Sequence, residues 1–438
     1  MPLLIVILGI LLLFILIAKF KLNAFISFII SCIFVGVFQG MELETIIKSI
    51  QTGMGNTLGY LVMILGLGAM LGKLVADSGA AQRITSRLVS SFGIKNIQWA
   101  VVLAGFIVGI PMFYSVGFVI LIPLVFTVAA STRLPLIFVG LPMLASLSVT
   151  HGFLPPHPAP TAIADMFSAD IGKTLLYGII IAIPAIIVAG PLFSRTIKNI
   201  NATPLKEFHN PIVLKDEEMP SMAISVFTAL LPVILIILST LLTFFIAKDS
   251  IFSDVVIFLG NPVVAMLISV MVAIYTLGIS RGKKMTALMN SISSSVSSIT
   301  MVLLIIAGAG ALKQILIDSG VSDYIGELLK GYYISPLFLA WLIATIIRVC
   351  VGSATVAGLT AAGIVLPIVS SSEVSPELMV LAIGSGSLML SHVNDGGFWM
   401  FKEYFNLSVK ETLSTWTVME TTIGIMGLIG VLILNIFI

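Results

Sequence analysis

Two stretches put titratable side chains inside an otherwise oily chain. THGFLPPHPAPTAIADMF, residues 150–167, holds His151 and His157 among four prolines and a glycine. GSGSLMLSHVNDGGFWMF, residues 384–401, holds His392, Asn394 and Asp395 just before Gly396 and Gly397. A helix interior rejects proline, which removes a donor and clashes with the turn before it. Glycine weakens a helix in its own way. Both stretches therefore read as breaks in helices. Freed backbone groups and half-helix ends at such breaks can hold ions and anions. His151, His157, Thr161, His392 and Asn394 are candidates to orient a ligand there. Asp395 or His392 is a candidate to hold a transferable proton, since imidazole titrates near physiological pH. Asp165 is an alternative, nearer the outer end of its span. The plainer role of His151 and His157 is to satisfy the broken backbone.

A second set of candidates comes from GIPMFYSVGFVILIP (109–123) and GSATVAGLTAAGIVLP (352–367). Each has a small or polar tip followed by an apolar arm that ends in proline. Ser115, Ser353 and Thr355 would offer hydroxyls at the tips. Gly352, Ala354 and Ala357 fit close helix packing better than chemistry. Arg348 precedes the second tip. A cation at that depth is usually functional or paired, so the readings are that it faces an anionic substrate, neutralises Asp395 or snorkels to the interface.

The elements that carry these residues follow from composition. Hydrophobic residues make up 58% of 438 positions, charged residues 10%, and mean hydropathy is +1.17. A soluble domain has about 25% charged residues. The fold class is therefore an all-α polytopic membrane protein. Apolar runs of helical length fall at about 2–18, 22–40, 54–76, 135–165, 172–194, 220–247, 255–279, 299–317, 375–400 and 412–438. The first is read as an uncleaved span, because no basic segment precedes it. Segments 97–130 and 335–372 are too long for one span and read as re-entrant hairpins. With both termini outside, most Lys and Arg fall on the inner side, as the positive-inside rule requires. A net charge of +2 gives no case for nucleic acid, and Cys32 and Cys350 both lie in apolar runs.

The two halves repeat. GLGAMLGKLVADSG (66–79) matches GAGALKQILIDSG (308–320), and SADIGKTLLYG (168–178) matches NLSVKETLSTW (406–416). His151 and His392 share the offset of the two Asp-Ser-Gly triplets at Asp77 and Asp318. Each unit holds three crossings, so the second copy is inverted. The expected organisation is scaffold helices in 1–53, repeat 1 in 54–194, a cytoplasmic linker in 195–219, scaffold helices in 220–298 and repeat 2 in 299–438. Repeat 1 contains the hairpin 97–130 and the broken helix 135–165. Repeat 2 contains the hairpin 335–372 and the broken helix 375–400. Inverted repeats with broken helices are the mark of a secondary transporter. The serine cluster SISSSVSSIT (291–300) fits helix packing.

Enzyme readings fare poorly. GSGS at 384–387 with His392 and Asp395 has hydrolase residue types, but triad members come together from distant segments. No catalytic residue, metal site or cofactor is expected, and no nucleotide-binding loop is present. A channel or a membrane sensor fits the closed, inverted hairpins less well.

The stretches THGFLPPHPAPTAIA, GSATVAGLTAAGI, SHVNDGGFWMFKEYFNLS and GLGAML resemble the gluconate permease family of gluconate:proton symporters, over essentially the whole chain. The resemblance implies uptake of gluconate or a related sugar acid across a bacterial inner membrane, driven by the proton gradient. Relatives also take up idonate, fructuronate or D-serine. The wider ion-transporter superfamily implies an elevator-type homodimer, in which the hairpins and broken helices move against a scaffold. The sequence departs from the family pattern at Ser115, where many relatives carry an acid. That change leaves a proton-independent member as the alternative. Competition by D-serine separates the sugar-acid reading from an amino-acid one.

Overall fold

Lipid offers no hydrogen-bond partner to a free backbone group, so the apolar runs must be helical. A computed structural model describes every residue except 1, 198–199, 201, 204–213, 244, 247–249, 322–334 and 394. Asn394 and the middle of the expected linker thus lie outside the described residues. No strand occurs among the described residues. Among the described residues, seven helices are long and apolar enough to cross a bilayer, or up to nine if each of two bent pairs is one span. The ten crossings expected from sequence include α1 (Pro2–Phe14) and α2 (Ala24–Phe38), which have 13 and 15 helical residues, below that length.

The centre is an antiparallel pair, α3 (Leu43–Asp77) and α13 (Met285–Asp318). Both start well before the apolar runs at 54 and 299, so the expected boundaries at 53/54 and 298/299 fall inside continuous helices. The reason is side-chain pairing. Ser49 Oγ donates to Asp318 at 2.6 Å, and Ser291 Oγ donates to Asp77 at 2.5 Å. Polar residues that look like loop therefore extend each helix against its partner. The helices cross where both lack a side chain. A Cβ on Gly53 would lie 2.4 Å from the Gly310 carbonyl oxygen, and one on Gly310 would lie 2.7 Å from that of Gly53. Small residues at such crossings are how membrane helices approach closely.

On this pair sit two similar sets of helices. In the first half, α4 (Ala80–Phe92) leads to α5 (Ile97–Gly109) and α6 (Tyr114–Thr132), joined by a short turn at 110–113. Then follow α7 (Leu136–Phe153), α8 (Pro158–Met166) and α9 (Ile171–Ile187), the last continuing through a π turn to Thr196. Between the halves, the expected single span at 255–279 is divided. After α10 (Met222–Leu242) the chain forms α11 (Ile251–Gly260) and α12 (Pro262–Ala273), because Pro262 starts a new helix and the Asn261 side chain caps it at Val263 N. In the second half, α14 (Pro336–Val351) meets α15 (Ala354–Ser371) at Gly352, whose φ of +80° suits glycine. Then come α16 (Pro376–Gly386), α17 (Gly396–Tyr404) and α18 (Val409–Leu434), with a π turn at Leu413–Thr417.

Depth differs between these helices. The span Leu136–Met166 is 89% buried, whereas Met222–Leu242 is 39% buried. The first is interior and the second faces lipid. Broken helices must be interior, since unwound backbone at membrane depth survives only within protein or against a watery cavity. They also touch each other. A Cβ on Gly384 would lie 2.8 Å from the Gly152 carbonyl oxygen, so α7 and α16 cross beside their breaks. The described end of the linker is fastened down: Arg83 donates to Pro220 O at 2.8 Å and pairs with Asp216 at 3.0 Å.

Filling the glycine crossing should loosen the central pair. Gly310→Val is expected to destabilise the protein by about 1–3 kcal/mol, the usual effect of overpacking. Gly55→Ala, whose added Cβ meets nothing within 4 Å, should keep or slightly raise the thermal unfolding temperature in detergent, since it removes a helix-weakening glycine.

Candidate functional site

The second hairpin tip and the second helix break converge with α6, α7 and α18 on one cavity of about 310 Å³. That lies at the lower end of the range for small-molecule sites. The first tip and the first break line a separate, smaller pocket. Tyr114 enters it from the start of α6, and Ser148 and His151 enter from the end of α7. Arg348, Gly352, Ser353 and Thr355 come from the second hairpin. Asp395, Gly396 and Gly397 come from the second break, and Trp416 and Glu420 from α18. Three helices, α6, α15 and α17, begin at its wall. Helix N-termini carry partial positive charge and favour anions.

One network ties the second break to the second hairpin. Arg348 is 3% exposed; its Nη2 lies 2.5 Å from Asp395 Oδ2, and its Nη1 donates to the Gly352 carbonyl. The same Asp395 oxygen accepts from Ser391 Oγ, and Oδ1 accepts from Gly397 N at 3.0 Å. Trp416 Nε1 donates to Ser391 Oγ at 2.7 Å, which adds α18 to the network. Asp395 thus serves as N-cap of α17 and as counter-ion to Arg348. Of the roles open to Arg348, the geometry gives the pairing with Asp395. Its Nε has no hydrogen-bond partner among the described residues and is buried in the cavity wall. The same holds for His151 Nδ1.

Also in the wall, Glu420 is 2% exposed and accepts from Ser148 Oγ at 2.5 Å. Rings line the space too, with Tyr114 at 5.9 Å from Trp416 and 6.1 Å from His151, centroid to centroid. The π turn at Leu413–Thr417 directs Trp416 and, one turn on, Glu420 to the same face. Such turns often mark functional segments.

Of the residues singled out in the sequence, His151, Arg348, Ser353, Thr355 and Asp395 line this cavity. The other described candidates lie elsewhere. His157 Nε2 bonds the Gly109 carbonyl oxygen at 2.8 Å, and His392 Nε2 bonds that of Val349 at 3.1 Å. Each histidine holds its break to the last turn of the hairpin arm in its own half. The plainer, backbone-satisfying role therefore falls to His157 and His392, and His151 is the histidine at the cavity. Sequence offset had paired His151 with His392; by contact, His157 is the counterpart. Thr161 is buried within α8, away from the cavity lining. Ser115 is exposed, because one residue along α6 turns about 100° from Tyr114. Tyr114, Ser148, Trp416 and Glu420 were missed. The signal for Glu420 was available: it is a lone acid in the apolar run WTVMETTIGIMGLIGVLIL.

Residues 1–437 match the family described as GntP family permease. The chain belongs to this permease family. The permease is 52% identical over 438 residues to the high-affinity gluconate transporter of Escherichia coli (strain K12), covering 100% of both chains. It is 52% identical over 435 residues to the Gnt-II system L-idonate transporter of the same organism, covering 99% of each. It is 50% identical over 447 residues to the gluconate permease of Bacillus subtilis (strain 168), covering 100% of each. Two solved transporters share the fold at 16% identity. YdaH of Alcanivorax borkumensis aligns with a TM-score of 0.66 over 94% of this chain and 97% of that one. MtrF of Neisseria gonorrhoeae, from a class of antimetabolite efflux pumps, aligns at 0.67 over 94% of each. The resemblance read from the motifs is thus borne out at the level of the family. The permease is a multi-pass membrane transporter and not an enzyme.

The Arg348–Asp395 pair should behave as a unit in the permease. Arg348→Ala is expected to cost about 3 kcal/mol, because it strands a mostly buried carboxylate. Adding Asp395→Ala should recover a large part of that loss. A double-mutant cycle on thermal unfolding checks the coupling.

Proposed function

We propose that the permease imports gluconate, or a closely related sugar acid, across the bacterial inner membrane by proton symport. One observation carries the substrate: full-length identity of 52% to transporters of gluconate and of L-idonate. These are stereoisomers that share a carboxylate and a chain of hydroxyls. The chemistry of the cavity supports the reading. The carboxylate is held where the N-termini of α6, α15 and α17 meet, beside Arg348. Hydroxyls of the sugar acid pair with Ser353, Thr355, Tyr114 and His151. A polyol has little apolar area, so selectivity arises from hydrogen bonds whose loss leaves buried polar groups unpaired. His157 and His392 act by bracing the breaks.

Transport proceeds by an inverted-repeat elevator, in which hairpins and broken helices move against α1–α3 and α10–α13. Several paired features support the repeat. Ser49–Asp318 mirrors Ser291–Asp77, and His157–Gly109 mirrors His392–Val349. Ser168 and Asn406 both take positive φ, two residues before N-caps Asp170 and Ser408. The motion is supported by a cavity of about 700 Å³ between α8–α9 and α10–α12. The homodimer, the inner-membrane address and the outward termini complete the proposal, on the family likeness and the charge bias of the loops.

Purified permease in liposomes is expected to accumulate labelled gluconate when the outside is acidic, with excess D-serine leaving uptake untouched. Uptake that ignores the pH gradient would identify a proton-independent carrier, and inhibition by D-serine would move the substrate class to amino acids. A cross-link tests the motion. The ideal Cβ of Gly172 lies 3.3 Å from Thr240 Cβ, close to disulfide geometry. In a chain with Cys32 and Cys350 replaced by serine, oxidising Gly172→Cys with Thr240→Cys should abolish uptake, and reduction should restore it. Full activity of the oxidised form would contradict the elevator.

A further inference from the structure

Glu420 has no task in the reading above. It lies in the wall of the substrate cavity, 2% exposed, with Ser148 Oγ at 2.5 Å. Among the described residues, no lysine or arginine is ion-paired with it. The titratable and charged groups that share the cavity are Tyr114 from α6, His151 from α7, Arg348 from α14 and Asp395 at the start of α17. Arg348 and Asp395 are joined at 2.5 Å and cancel each other's charge. Asp395 is further anchored by Ser391 and Gly397 N. It is a fixed counter-ion, which leaves Glu420 as the carboxylate free to change its charge.

We infer that Glu420 binds the transported proton, and that its protonation is the condition for an anionic substrate to enter the cavity. This rests on the symport reading above. With Glu420 ionised, the fixed charges of the cavity sum to one negative charge. A sugar-acid carboxylate then meets a like charge in surroundings that screen far less than water. With the proton on Glu420 that repulsion is gone, and the three helix N-termini favour the anion. Ser148 suits both states: its hydroxyl donates to the carboxylate and accepts from the carboxylic acid. Neither Asp395 nor His392, the groups singled out by sequence, is as free to act. Asp395 is held by Arg348, and His392 is bonded to the Val349 carbonyl.

The cycle balances. A proton from water on the loading side forms an O–H bond on Glu420, and the monoanion enters. After the carrier moves, the anion leaves and the O–H bond breaks to water on the other side. One proton and one monoanion cross together, so no net charge moves. A pH gradient therefore drives uptake, and a membrane potential alone does not.

The test uses the full-length chain in liposomes, with labelled gluconate as the probe. Glu420→Gln keeps the shape and the Ser148 contact but cannot ionise. It should lose accumulation driven by a pH gradient, keep exchange of internal for external gluconate, and bind gluconate equally across pH. Wild type and Glu420→Asp should accumulate gluconate, with affinity falling about tenfold per pH unit above the titration of the carboxyl. Gradient-driven accumulation by Glu420→Gln, or loss of its exchange along with its accumulation in a folded protein, overturns the inference. If Glu420→Gln does not fold, binding by wild type and Glu420→Asp decides: affinity independent of pH overturns it. Wild-type uptake that ignores the pH gradient instead removes the symport reading on which it rests.

Discussion

Every backbone amide and carbonyl in the bilayer needs a partner inside the protein. The rest of this structure follows from how the chain meets that demand at the places where it stops being helical. Its first break at 154–157 and its turns at 110–113 and 352–353 are gathered into the interior, and its second break is partly so: Ser387–Met389 and Ser391 are buried, Leu390 and Val393 exposed. There, side chains do what a helix no longer does. His157 takes the Gly109 carbonyl, His392 takes that of Val349, and Arg348 takes that of Gly352. The second hairpin and the second break meet α6, α7 and α18, and the space left between them is the cavity. Site and scaffold are thus one construction: moving a brace moves a wall.

The same constraint explains the electrostatics. Helix ends that face inward leave positive dipole ends around the cavity, which suits an anion. Buried charge has to be compensated, and the protein does so unequally. Arg348 and Asp395 compensate each other within hydrogen-bond distance. Glu420 has a hydroxyl from Ser148. A site with one balanced pair and one acid lacking a counter-charge holds two charge states, and that difference is what coupling to a proton requires.

Much of this was legible in the residues. Clustered proline and glycine inside apolar runs marked the breaks and the hairpin tips, whereas single prolines such as Pro142, Pro184 and Pro232 are carried inside helices. Arg348 and Asp395 stood out as charges too deep to be idle, and the structure pairs them. The contacts of the histidines were not legible. His151, His157 and His392 look alike in a string, and which one reaches a carbonyl depends on how α7 packs on α5 at Gly105 and Gly109 and α16 on α14 at Gly386. Ser115 looked suitable by type but lies on the wrong side of α6. Glu420 was legible as a lone acid inside an apolar span, but its contact with Ser148 was not. The starts of α3 and α13 were misjudged because their polar residues pair across the helix interface rather than with water.

The claim at the centre of this account is that the cavity at the second hairpin tip and the second break is where the sugar acid binds. A structure of the permease determined with gluconate tests it most directly. The account predicts the ligand between Arg348, Ser353 and His151, with its carboxylate toward the N-termini of α15 and α17. Gluconate bound instead in the larger cavity between α8–α9 and α10–α12, with the first cavity unchanged, would contradict it.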